Sequence, residues 1–143
     1  MSCVIFGAGK IARGFIGHLL YLNKIDFTFV EKVDALVDLI NERKQYTVNI
    51  LGNEAENCIV TNAKALKFAD TDKIADTIAD ADCVFTAVGG KNLKEIVPFL
   101  VSGIEAKAKK GGLLNIVTCE NWKLPAQILR DEITAQISED CKE

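Results

Sequence analysis

Histidine is almost missing from this chain: His18 is the one copy in 143 residues. The five cysteines, Cys3, Cys58, Cys83, Cys119 and Cys141, are odd in number, and no two form a C-x-x-C pair. A zinc site is hard to build from that set. The thiols read as reduced, buried or incidental groups of a cytoplasmic protein. Proline occurs twice, and the composition is 49% hydrophobic and 26% charged. That balance suits a globular chain and excludes disorder. No apolar run approaches the ~20 residues of a membrane helix. The start, Met-Ser-Cys, lacks the basic region of a signal peptide. A net charge of −3 supplies no basic patch for nucleic acid.

The length suits one domain. Within it, short apolar runs alternate with stretches of helical spacing. Val4–Phe6, Phe27–Val30, Cys83–Val88 and Leu113–Thr118 read as strands, mostly without a polar face. Ile11, Phe15, Leu19 and Leu22 mark a first helix, and Val33, Leu36, Val37 and Ile40 a second. Between Gln45 and Thr61 the period changes to two, around the turn Gly52-Asn53, which predicts an antiparallel hairpin. Ile74 and Ile78 mark a short helix. Leu93, Val97, Leu100 and Ile104 mark a longer one, which Pro98 should delay or kink. Gly111-Gly112 ends it, and a last helix follows Pro125. Ser138 to Glu143 should fray. Apolar strands alternating with helices predict an α/β fold of the Rossmann type: a doubly wound, mostly parallel sheet with an inserted β-hairpin over 1–143.

The chemistry concentrates in the stretch VIFGAGKIARGFIG, where four glycines surround Arg13. Gly7-x-Gly9-x-x-Ala12 follows the first strand and opens the first helix, the setting of a dinucleotide fingerprint. Gly7 permits a tight turn, Gly9 lets a pyrophosphate approach bare backbone, and Ala12 keeps helix and sheet close. The helix start then favours the anion. Glu31 ends the second strand, 19 positions beyond Ala12. An acid there accepts hydrogen bonds from a ribose and repels a 2′-phosphate, which predicts NAD over NADP. Lys32 beside it works against that preference. Arg13 suits the pyrophosphate or a substrate phosphate. Two more stretches fall at strand ends: Val88-Gly89-Gly90-Lys91-Asn92 and Thr118-Cys119-Glu120-Asn121.

Four segments, in order, carry a resemblance. They are FGAGKIARGFIG, the hairpin with its Tyr46-x-Val48 core, Thr86-Ala87-Val88-Gly89-Gly90-Lys91-Asn92-Leu93, and NIVTCENWKLPAQILR. The chain resembles the mannitol dehydrogenase family over nearly its whole length, and within it the members that act on a polyol phosphate. The resemblance implies an NAD-dependent oxidoreductase that moves hydride between a sugar alcohol, or a related sugar acid, and the cofactor. It implies that Phe6, Gly7, Ala8, Gly9, Lys10, Ile11, Ala12 and Arg13 hold the dinucleotide from the first loop. Glu31 and Lys32 would hold it from the second strand, Ala87, Val88 and Gly89 from a later one, and Asn121 from beside the nicotinamide. Asn121 matches an asparagine that stabilises a developing alkoxide, a task suited to an amide donor.

The family's general base is a lysine in a second, helical domain, set with an asparagine and a histidine. No such frame occurs here. His18 lies in the first helix and reads as a packing or surface residue, and Lys91 is the one lysine near the cleft. Cys119 has no histidine to pair with and reads as structural. Lys10, Ala12 and Gly90 depart from the family's usual asparagine, glycine and proline. The expectation is therefore a cofactor-binding domain, inactive by itself and able to self-associate, whose partner is a small polyol phosphate. A free-standing NAD-sensing Rossmann module is the alternative, although Cys119-Glu120-Asn121 would serve no evident purpose there.

Overall fold

The structure is a computed structural model and describes residues 1–142. Five parallel strands form its centre: β1 (Ser2–Phe6), β2 (Asp26–Glu31), β5 (Ala65–Lys67), β6 (Cys83–Thr86) and β7 (Asn115–Thr118), in the order β5-β2-β1-β6-β7. β1 is central and apolar, and Val4, Ile5 and Phe6 are wholly buried. β3 (Gln45–Val48) and β4 (Cys58–Thr61) form the expected antiparallel hairpin, pairing Gln45 with Thr61 and Val48 with Cys58. The fold is the Rossmann-type α/β arrangement with an inserted hairpin. The strand order changes direction at β1, so the carboxyl ends of β1 and β6 frame the crevice where such sheets bind ligands.

The two sheet faces are covered differently. One carries the first helix, α2 (Asp34–Arg43) and the hairpin, around Ile5, Ala12, Ile16, Phe29, Val37 and Val60. The other carries α3 (Thr71–Asp80), α4 (Leu93–Lys109) and α5 (Pro125–Gln136), around Val4, Phe6, Ile74, Ile78, Ile96 and Leu100. Gly103 lets α3 and α4 meet: a Cβ there would lie 2.5 Å from Ile78.

The first helix differs from the expectation. Its Ala12–Gly17 stretch is π-helical and continues as α1 (His18–Leu22). The buried side is Ala12, Ile16 and Leu20, whereas Ile11, Phe15, Leu19 and Leu22 are exposed. Both series have helical spacing, one residue apart, and the smaller one faces the sheet. Gly17 explains part of this, because a Cβ there would meet the Tyr46 hydroxyl at 2.5 Å and the Ala12 carbonyl at 3.1 Å. The Tyr46 hydroxyl donates to the Arg13 carbonyl at 3.1 Å, which supplies a partner inside the irregular turn.

α4 does not start late: it runs Leu93–Lys109 with Pro98 inside it. Proline removes the bond to the Lys94 carbonyl. Pro98 and Lys94 are both exposed, so water can take that carbonyl. β5 was not expected, and α3 runs to ten residues. β6 stops at Thr86 and β7 starts at Asn115, both shorter than the apolar runs that announced them. Ser138 is tied by its amide to Glu105 at 2.9 Å, and Glu139–Cys141 forms a short turn rather than a frayed end. Glu143 lies outside the described residues.

Candidate cofactor-binding site

Three strand ends converge on a cleft of about 310 Å³. The loop after β1 forms its floor. Gly7 has φ +93°, and a Cβ there would sit 2.4 Å from the Ala87 carbonyl oxygen. Only glycine satisfies both conditions. The Gly7 amide donates to the Val30 carbonyl at 2.8 Å, so the turn is fixed to β2 as well. At Gly9 the space that a Cβ would fill is open for 4 Å. The helix that starts just beyond it has no side-chain cap. Its first amides and its dipole therefore face an anion-sized opening on bare backbone.

Glu31 forms the side wall. One carboxylate oxygen accepts the Ala8 amide at 2.7 Å and the other the Val33 amide at 2.9 Å. Its charge thus lies between the glycine turn and the start of α2. Lys32 reaches across to Glu95 of α4 at 2.6 Å, which engages the cation that opposed an NAD preference.

The opposite wall is the end of β6. Ala87 and Val88 line it, and Asn92 donates its side-chain amide to the Val88 carbonyl at 2.7 Å. Glu120 holds this wall from β7. Its carboxylate accepts the Thr86 hydroxyl at 2.8 Å and the Val88 amide at 3.1 Å. Thr86 is fully buried, so this pairing satisfies a hydroxyl that water cannot reach. Trp122 lies over Gly90, where a Cβ would be 2.0 Å from the indole. The indole therefore occupies the room that the family's usual proline would need at that position.

Gly7, Gly9, Glu31, Lys32, Ala87 and Val88 line this cleft. Phe6, Ala8 and Ala12 are buried beneath it, and Gly89 turns with φ +84°. Lys10 and Ile11 are exposed at the helix start. Asn121 is exposed just beyond β7 and is not among the cleft-lining residues. Arg13 lines a different cleft, between the first helix, α2 and β3. Val30, Val33, Phe68, Asn92, Glu95 and Ile96 also line the cofactor cleft and carry no motif that would announce them. His18 starts α1 and is half-buried, and Lys91 is exposed. Burial, then the nearby Glu120 charge, pushes the Cys119 thiol above its ordinary range. A raised thiol pKa leaves less of the nucleophilic thiolate at neutral pH.

The family model of the mannitol dehydrogenase Rossmann domain matches residues 1–143. The chain belongs to the mannitol dehydrogenase family. It is 40% identical over 141 residues to the mannitol-1-phosphate 5-dehydrogenase of Thermoanaerobacter pseudethanolicus, covering 98% of this chain and 36% of that protein. The enzyme of the same name from Caldanaerobacter subterraneus subsp. tengcongensis is 38% identical with the same coverage. That of Lactiplantibacillus plantarum is 35% identical over 143 residues, 37% of its length. The chain thus spans little more than a third of the relatives it matches. A dehydrogenase Rossmann domain is the unit that binds a nicotinamide dinucleotide, and the open backbone at Gly9 fits one. No helix among the described residues is long and apolar enough to cross a membrane.

Proposed function

We propose that this chain is the NAD-binding part of a cytoplasmic dehydrogenase acting on mannitol 1-phosphate or a closely related polyol phosphate. The observation that carries the reading is the joint placement of Gly7, Gly9 and Glu31 at the carboxyl ends of β1 and β2. When bound, the cofactor supplies a hydride acceptor; the protein supplies orientation and electrostatics. Gly9 and the helix start take the pyrophosphate. Glu31 takes the adenosine ribose and repels a 2′-phosphate, and its pairing leaves Glu95 to occupy Lys32. Asn121, at the end of β7, donates to the substrate oxygen as charge develops on it. Lys32 is the one lysine lining the cleft, and it is paired. The general base that takes the hydroxyl proton is therefore assigned to the further chain length that the relatives carry, and the 143-residue chain by itself should bind NAD without turnover. The relatives' shared name supports this dehydrogenase reading over a sensing module.

Calorimetric titration with NADH and then NADPH tests the proposal. Tight NADH binding with weak NADPH binding is expected. Equal binding of the two would remove the assigned role of Glu31. Binding of neither by a folded chain would overturn the reading.

A further inference from the structure

Arg13 carries the sole buried side-chain nitrogen or oxygen, among the described residues, that has no hydrogen-bond partner: its Nε. An unmet buried donor is costly, and more so when charged. Such an atom calls for an acceptor. Arg13 does not face the cofactor cleft. It lines a separate cleft of about 400 Å³, between the first helix, the inner side of α2 and the start of β3. Arg43, the last residue of α2, lines the same cleft, and among the described residues no carboxylate does. Neither arginine forms an ion pair within 4 Å among the described residues.

Two guanidinium groups thus share one concave surface without a carboxylate partner among the described residues, and an anion between them would be attracted by both. The remaining walls fit a small organic anion. Gln45, Tyr46 and Thr47 offer polar groups, and Leu36, Leu39 and Ile40 offer an apolar side. The backbone at Arg13 is tied to β3. The Tyr46 hydroxyl donates to the Arg13 carbonyl within the π-helical turn, a distortion frequent at functional sites. Burial raises the Tyr46 hydroxyl above its ordinary range, and the Arg13 charge acts against that rise.

We propose that Arg13 and Arg43 form an anion-binding site, separate from the cofactor cleft, that takes a phosphate group carried by a small molecule. A phosphate offers acceptors to both guanidinium groups at once, and such charge-assisted pairs are the strong ones. The site does not rest on the dehydrogenase reading, because neither arginine lines the cofactor cleft.

The test follows the Nε–H resonance of Arg13 by NMR in the 143-residue chain, at constant ionic strength, while inorganic phosphate and then glycerol 3-phosphate are added. A saturable shift at millimolar or lower concentration is expected, tighter for the ester if the apolar wall takes its carbons. Arg43→Gln should weaken binding at least fivefold and leave NADH affinity unchanged. Arg43 is exposed at a helix end, so this variant keeps the fold. An Arg13 signal that does not move, or that moves equally with chloride, overturns the proposal. So does a shift that Arg43→Gln leaves intact. Failure of NADH binding with a normal phosphate response would refute the cofactor reading alone.

Discussion

The Glu31 carboxylate accepts the amide of Ala8, 23 residues earlier in the chain, at 2.7 Å. This bond ties the end of β2 to the glycine turn after β1. The same side chain caps Val33. Glu31→Ala leaves two amides without their acceptor and removes the proposed ribose contact. NADH affinity should fall on the order of tenfold, and the gap between NADH and NADPH should narrow. Calorimetry on the folded variant decides it. Unchanged NADH affinity would mean that Glu31 serves the loop alone.

Glu95 should set cofactor choice without touching the motif. It engages Lys32 at 2.6 Å across the cleft. Both side chains are largely exposed, so the pair adds little to stability. Glu95→Gln frees the cation next to the position of a 2′-phosphate. NADPH binding should rise severalfold while the melting temperature stays near that of the parent. A NADPH affinity that does not change would place Lys32 outside that contact.

Gly7→Ala should be among the most damaging single-atom changes. The positive φ and the 2.4 Å approach to the Ala87 oxygen cannot both be kept. Separation of β1 from the β6 loop should cost more than about 2 kcal/mol, a fall of roughly 5–10 °C in melting temperature. Gly9→Ala, with open space around it, should melt normally and lose NADH. Circular dichroism with calorimetry separates the two outcomes.

The layered fold was legible because buried parallel strands are apolar throughout and stop at glycine or a charge. β1 and β6 show this, with Gly7 after one and Asp82 before the other. β5 was not legible: Ala65–Lys67 is three residues long and ends in a charge. The first helix misled because it offers two apolar series one residue apart, and a π turn erases the period that would choose between them. The turn at Gly7 and the place of Glu31 at the end of β2 could be read because each needs a particular residue type at a fixed spacing. The part of Glu120 could not, since its partners Thr86 and Val88 are brought near only by the β6–β7 pairing.

Trp122 is the one tryptophan, and its ring lies over Gly90 at the rim of the β6 loop. Its emission should report on the cleft. Gly90→Ala must displace the indole, which should shift the emission to the red. NADH should quench the parent protein more strongly than this variant. Identical spectra for the two proteins would contradict the stacked arrangement.

Alkaline pH should destabilise the fold. Burial, then the charges of Cys83 and Asp82, moves the Cys3 thiol from its ordinary 9.0 to about 11. Between those values the folded chain keeps a proton that the unfolded chain has released. The contribution of this thiol is therefore constant below pH 9 and is lost as pH rises toward 11, by roughly 2 kcal/mol. Cys3→Ala should show a shallower decline in urea titrations at pH 8, 9 and 10. Parallel profiles for the two proteins would locate the loss elsewhere.

The two apolar series of the first helix differ by a single position, which on a helix is a rotation of about 100°. A π turn holds one residue more than an α turn needs. Within Ala12–Gly17, then, the surplus residue is absorbed where it stands. Loss of one codon there would let the turn close as ordinary helix, with Leu20 still against the sheet and Leu19 and Leu22 still in water. A lineage could gain or lose that residue in one step and leave both the glycine turn ahead of it and the helix faces behind it unchanged.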